Sequence, residues 1–198
     1  MSSILEPNSS TPVFEELNED GGLDIIGKQD EPTFFILEGD GEDLVFGGKE
    51  GGLIDAGEGN DLIIAGDGIF DLSGGDGNDI VIGGDLRNTI DGGDGNDIII
   101  GGDGVDIIDG GKGSDIMFGG AGEDIFKFDT MDFEEGETDF ILDFMEGEDI
   151  IRIEDAEDVE YDSTTGIVSV DGEDAIFLDS GLDITAQDTD DDGTWELM

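Results

Sequence analysis

The chain contains no histidine and no cysteine, and only six of its 198 residues are basic. Each absence removes a class of function. Without histidine there is no H-E-x-x-H zinc site and no Ser-His-Asp hydrolase. Without cysteine there is no thiol nucleophile, and redox compartment leaves no mark on the sequence. Six scattered cations (Lys28, Lys49, Arg87, Lys112, Lys127, Arg152) make a poor surface for phosphate, so nucleic acid is not an expected partner. Proline is also scarce, at three residues. No run approaches the ~20 apolar residues of a membrane span. The opening MSSILEPNSSTPVF has no basic n-region or long apolar core, so no cleavable signal peptide is expected.

What is present is acid and glycine. Fifty-six Asp and Glu against six Lys and Arg leave a formal net charge of −50, and 36 residues are glycine. A halophilic acid-rich surface is one account of the charge. Disorder is another, but 35% of the residues are hydrophobic and recur at regular intervals. A chain of this kind favours cations, whose binding neutralises it before it folds.

The recurrence is a nine-residue period. From Glu38 to Lys127 the chain divides into ten gapless units with the pattern GGxGxDxUx, where U is large and apolar. Units 74–82, 92–100, 101–109, 110–118 and 119–127 are complete; 38–46 and 56–64 lack only the first glycine; 47–55, 65–73 and 83–91 are degenerate. Glycine permits the torsions of a tight loop and lets carbonyls crowd together. Aspartate supplies a hard oxygen of the kind calcium binds. The last three residues of each unit form a short strand with position 8 facing inward. That position reads Val45, Ile54, Ile63, Leu72, Val81, Ile90, Ile99, Ile108, Met117 and Phe126. The core ladder therefore persists even where the loop pattern fails.

These units resemble the repeats-in-toxin (RTX) family, and AGEDIFKFDTMDFEEGETDFILDFMEGEDIIRIE (121–154) is similar to the segment following the repeats in serralysin-type proteases. The resemblance implies an all-β fold, a right-handed parallel β-roll with two nonapeptides per turn and a C-terminal β-rich cap. It also implies calcium between units n and n+2, held by positions 2, 4 and 6 of one and 1, 3 and 6 of the other. Carried over, the odd units hold four ions. The first joins Gly39, Gly41 and Asp43 to Ala56, Glu58 and Asp61; the second joins Gly57, Gly59 and Asp61 to Gly74, Asp76 and Asp79. The third joins Gly75, Gly77 and Asp79 to Gly92, Asp94 and Asp97; the fourth joins Gly93, Gly95 and Asp97 to Gly110, Lys112 and Asp115. In the even units position 6 reads Gly52, Phe70, Asn88, Asp106 and Asp124, so only Gly102, Gly104 and Asp106 with Gly119, Ala121 and Asp124 form a complete set. Asn88 offers an amide carbonyl to a weaker site with Asp106. A further ion is expected from Gly120, Gly122 and Asp124 with Asp139. The total is about 5–7 Ca2+ ions. Glycine–aspartate turns also form without metal, but carboxylates stacked at ~5 Å and left unpaired repel one another.

Positions 7 and 9 face outward. In the odd units they are Leu44/Phe46, Leu62/Ile64, Ile80/Ile82, Ile98/Ile100 and Ile116/Phe118; in the even units they are mixed and include Asp55, Asp71, Asp91 and Asp109. One sheet thus presents an apolar ladder roughly 20–25 Å long. Such a patch marks a protein partner, a homodimer contact or a face covered by the chain's own ends.

The organisation expected is a flexible segment over 1–18, an N-terminal cap of degenerate repeats over 19–37, the roll over 38–127, a β cap over 128–187 and an acidic tail over 188–198. In the cap, EDGGLDIIG (19–27) places Asp24 at position 6 and Ile26 at position 8. In the tail, Asp188, Asp190, Asp192 and Gly193 have the spacing that opens an EF-hand loop, though a plain acidic tail fits as well. RTX relatives commonly leave the cell through a type I exporter that reads an uncleaved C-terminal signal, so a secreted or cell-surface location is expected. A non-enzymatic calcium-binding protein acting through its surface is the leading reading. A carbohydrate-binding accessory module and a structural cell-envelope component are the alternatives.

Overall fold

Three consecutive residues out of nine are enough for a strand only if each strand finds a neighbour, and the period supplies one every eighteen residues. The computed structural model describes residues 13–17, 23–26, 33–36, 41–133, 136–178, 181–189 and 193–198. Twenty strands and no helix occur among them. In chain order they are β1 (Val13–Leu17), β2 (Leu23–Ile26), β3 (Thr33–Ile36), β4 (Leu44–Phe46), β5 (Gly52–Glu58), β6 (Leu62–Ile64) and β7 (Phe70–Asp76). There follow β8 (Ile80–Ile82), β9 (Asn88–Asp94), β10 (Ile98–Asp103), β11 (Ile107–Lys112), β12 (Ile116–Ala121), β13 (Ile125–Asp129) and β14 (Asp139–Ile141). The last six are β15 (Ile150–Glu154), β16 (Val159–Asp162), β17 (Ile167–Val170), β18 (Glu173–Phe177), β19 (Ala186–Asp188) and β20 (Trp195–Leu197).

Odd-unit strands stack in one sheet, ordered β1-β2-β4-β6-β8-β10-β12-β14-β18-β17-β16, and even-unit strands in the other, ordered β19-β20-β15-β13-β11-β9-β7-β5-β3. Through the repeats every pairing is parallel and offset by eighteen residues: Ile80, Ile98 and Ile116 lie in one file, and Thr89 and Ile107 in another. The fold is therefore a parallel β-roll with two nonapeptides per turn. All ten position-8 side chains are buried between the sheets, which is the period-two consequence of a three-residue strand with one face inward.

Two strands before the repeats complete a further turn, because β2 pairs with β4 and β3 with β5. The register differs from the sequence expectation by one residue. Ile25 pairs with Val45 and Asp24 with Leu44, so Asp24 stands at position 7 and Ile25, not Ile26, at position 8. The offset to the first regular units is accordingly 20 residues for Ile25 and Val45 and 19 for Phe35 and Ile54, against 18 through the repeats. Within 1–18, read as a flexible segment, Val13–Leu17 is a strand antiparallel to β2.

At the far end both sheets change from parallel to antiparallel pairing. β14 and β18 continue the odd sheet, and β17 and β16 then close it as a hairpin. β15 continues the even sheet, and β20 and β19 fold back upon it. Part of the stretch read as an acidic tail is thus a sheet strand: Leu197 is fully buried, and Arg152 Nη2 donates to Glu196 Oε1 at 2.7 Å. Closing strands of this kind cover the end of the parallel stack and leave the short strands β16 and β19 as the sheet edges at this end. Of the four EF-hand residues, Asp190 and Asp192 fall outside the described residues.

Candidate metal centres

The first six residues of each unit form the loop at one edge of the roll, so loops of alternate units lie one above another. At position 6 the aspartate turns inward. Asp61, Asp79, Asp97, Asp115, Asp106 and Asp124 are all between 0 and 3% exposed. One oxygen of each is used in stacking. The backbone N–H of Asp43 donates to Asp61 Oδ1, that of Asp61 to Asp79 Oδ1, that of Asp79 to Asp97 Oδ1 and that of Asp97 to Asp115 Oδ1, each at 2.7 Å. On the other edge the Asp106 N–H donates to Asp124 Oδ1 at 2.8 Å.

The second oxygen is left over. Oδ2 of Asp61, Asp79, Asp97, Asp106, Asp115 and Asp124 is buried and has no hydrogen-bond partner. A buried charge without a partner is among the costliest features a fold can carry. Burial accordingly pushes the Asp61, Asp79, Asp97 and Asp106 carboxyls up to about 6, against the opposing effect of the N–H each accepts. Burial, with added repulsion from Asp139, Asp97 and Glu137, takes Asp115 to about 8.

The glycines keep room beside these oxygens. A Cβ on Gly92 would lie 2.5 Å from both Asp97 Oδ2 and the Gly110 carbonyl oxygen; one on Gly101 would lie 2.6 Å from Asp106 Oδ2 and 2.5 Å from the Gly119 carbonyl oxygen. Positions 2 and 4 aim their carbonyls at the next loop of the same edge, for a Cβ on Gly93 would collide with the Gly75 oxygen and one on Gly95 with the Gly77 oxygen. Position 3 contributes backbone only. Asp76, Asp94 and Lys112 carbonyls accept from Gly59, Gly77 and Gly95 at 2.7–2.8 Å, while the Asp94 and Lys112 side chains pair with each other at the surface. Each centre thus offers two carboxylates and several carbonyls. Carboxylate and carbonyl oxygens of this kind are hard ligands, the type a calcium ion takes. Gly93 has φ +108°. Gly93→Ala is expected to destabilise the calcium-loaded roll by at least the ~1–3 kcal/mol of a strained backbone, read as a lower melting temperature; an unchanged melt would mean that the loops are free to part.

The set predicted for the odd edge is brought together from Gly41 to Asp115; Gly39 lies outside the described residues. On the even edge only the 101–109 and 119–127 loops match it. At position 6 of 65–73 the fully buried Phe70 fills the loop region, with its ring 2.7 Å from where a Cβ on Gly47 would stand. That is an apolar plug where the other edge has a carboxylate.

Beyond the repeats one placement is corrected. Asp139 lies beneath Asp115, whose N–H it accepts at 2.9 Å, and not beside Asp124. Asp124 is instead followed by Asp149, which accepts the Asp124 N–H at 3.0 Å and the Met145 N–H at 2.7 Å. Asp143 takes the N–H groups of Gly119 and Gly120, both at 2.9 Å. The alternation of edges continues, but the residues inserted after Lys127 stretch the offset from 18 to 24 and 25, so the period no longer points to them. Glu137 was missed for the same reason: its Oε2 is buried without a partner beside the Asp115–Asp139 pair. A polar ladder at position 5 was also missed. Asn60 Oδ1 accepts from Asn78, Asn78 Oδ1 from Asn96 and Asn96 Oδ1 from Ser114, at 2.8–3.1 Å. It ties successive odd loops in register at the rim.

Comparison with known families bears on this geometry. Residues 73–108 and 91–126 match the RTX calcium-binding nonapeptide repeat, a pattern of four copies. The chain carries RTX repeats. Repeats of this family bind calcium. The match spans the roll from residue 73 to residue 126 and does not reach the cap. No curated protein matches the chain. Among the described residues no helix is long and apolar enough to cross a membrane.

Proposed function

We propose that this RTX chain is a secreted, non-enzymatic protein whose roll folds on binding about 5–7 calcium ions and which then acts through its surface. The row of buried, partnerless Oδ2 atoms carries this reading, because a bound cation restores to the charged oxygens what burial removes. The residues that would hold the ions on the odd edge are the carbonyl-bearing glycines and Asp43, Asp61, Asp79, Asp97 and Asp115. Asp106 and Asp124 would serve the even edge, and Asp139 with Glu137 the seam below Asp115. When bound, calcium neutralises the loops and ties unit to unit. In a calcium-poor cytosol the same charges keep the chain open for a type I exporter, and calcium outside closes it.

The surface that acts is the outer face of the odd sheet. Ile80, Ile98 and Ile116 are 36–39% exposed in one file. Leu44 and Leu62 extend that file at one end and Phe140 and Phe177 at the other, giving seven strands and a ladder of about 30 Å at ~4.8 Å spacing. Phe46, Ile64, Ile82, Ile100 and Phe118 run beside it, half-buried. The even sheet differs: Lys127 Nζ reaches Asp109 at 3.2 Å and Glu154 at 3.8 Å there. A dry, uncharged strip on a chain of −50 charge fits a protein partner or a second copy. The variant Ile80→Asp/Ile116→Asp is expected to keep its calcium-induced circular dichroism and to lose self-association or partner capture, followed by analytical ultracentrifugation in calcium. Loss of the fold itself would show that the face is covered by the chain's own segments and would sink the docking role.

A further inference from the structure

Position 6 of unit 83–91 is Asn88, whose side chain is fully buried. Its backbone N–H donates to Asp106 Oδ1 at 2.6 Å, as the position-6 N–H does at the neighbouring joints. The side chain behaves differently. Nδ2 donates to the Leu86 carbonyl at 2.6 Å and reaches Asp106 Oδ1 at 3.3 Å. It also faces the first glycine of its own loop, 2.9 Å from where a Cβ on Gly83 would stand. At other joints that place beside the first glycine belongs to an unpartnered carboxylate oxygen, as with Asp97 beside Gly92 and Asp106 beside Gly101.

An N–H2 group carrying partial positive charge therefore stands between a position-4 carbonyl and a carboxylate. The two acceptors decide which way the amide turns. Reversed, Oδ1 would face the Leu86 oxygen and Asp106 Oδ1, an arrangement only a bound cation would favour. The orientation seen leaves Asn88 Oδ1 buried without a partner, but stranding a neutral amide oxygen costs less than stranding a carboxylate.

We propose that the Asn88 amide takes the place of an ion, so that the joint between units 83–91 and 101–109 closes without calcium. Together with the Phe70 plug one turn earlier, it gives the N-terminal half of the even edge a calcium-independent spine, while the odd edge of the same turns depends on the ion. This rests on the reading of the roll as calcium-loaded. It also assigns Asn88 a role opposite to that of a weak ligand.

Counting ions on the full chain by native mass spectrometry in excess calcium tests it. Asn88→Asp is expected to bind one ion more than the parent chain. Asn88→Ala is expected to bind the same number as the parent and to need more calcium to fold, because the staple is lost and nothing replaces it. An unchanged count in Asn88→Asp, or the loss of one ion in Asn88→Ala, would overturn the proposal, the latter by showing Asn88 to be a ligand. Should none of the three chains bind calcium, the underlying reading of the roll fails, and that result is distinct from either reversal.

Discussion

In a calcium chelator at neutral pH the chain is expected to give the far-ultraviolet circular dichroism of an unfolded polypeptide, and calcium in the range of about 0.1–1 mM is expected to convert it to a β-rich one. The expectation follows from magnitudes. Six buried aspartate oxygens have no partner among the described residues. An unpaired buried charge costs several kcal/mol even after relaxation, and a whole domain is stable by only ~5–15 kcal/mol. Six such penalties exceed that margin before the repulsion within a net charge of −50 is added. Calcium bound beside each Oδ2 would reverse the sign by supplying a counter-charge, and ion binding would become folding energy. Native mass spectra over the same titration are expected to show about 5–7 ions arriving within one transition. A β-rich spectrum that persists in chelator would remove calcium-coupled folding from this protein.

Acid is expected to act on the calcium-free chain in the same direction as calcium. Asp61, Asp79, Asp97 and Asp106 are raised to about 6, Asp139 to about 7 and Asp115 to about 8, in each case chiefly by burial. In the unfolded chain aspartate titrates near its ordinary 3.8. Between about 8 and 4 the folded state therefore holds more protons than the unfolded one, and stability rises as pH falls. The gain begins as pH drops through about 8, is complete near the unfolded value, and is lost again as pH climbs. With chelator present, lowering the pH from 8 to 5 is expected to increase β structure. With calcium present the same change is expected to raise the calcium concentration at mid-transition, because protons and ions compete for the same oxygens. Circular dichroism across that range, with and without chelator, measures both. A calcium midpoint independent of pH would mean that the buried aspartates are not the ligands.

The repeat made much of this protein legible. Position 8 is apolar in all ten units, and that alone identifies the inward face. The spacing of eighteen residues between equivalent loops predicted which aspartates stack, and Asp61, Asp79, Asp97 and Asp115 do so in the expected order. The alternation of apolar and acidic residues at position 9 foretold two unlike outer faces, with Ile100 on the dry one and Asp109 bonded to Lys127 on the other. These features are local or strictly periodic, so a count along the chain recovers them.

Where the count breaks, sequence stops pointing. Ile25 rather than Ile26 pairs with Val45, a register that counting nine residues along the chain does not give. Asp139 follows Asp115, and Asp149 follows Asp124, although no motif spaces them. The last strand carries no repeat signature: Leu197 is buried against the core, while its neighbour Glu196 pairs with Arg152, 44 residues away. Asn88 differs from an aspartate by one atom type in the sequence, yet its partners Leu86 and Asp106 turn a ligand position into a staple. The sequence by itself determined the solenoid, its core file and its affinity for cations, because those follow from a period of nine and from residue chemistry. Only the tertiary structure decided how the roll is ended and which carboxylates are left without partners. Those depend on contacts between residues whose separation in the chain obeys no period.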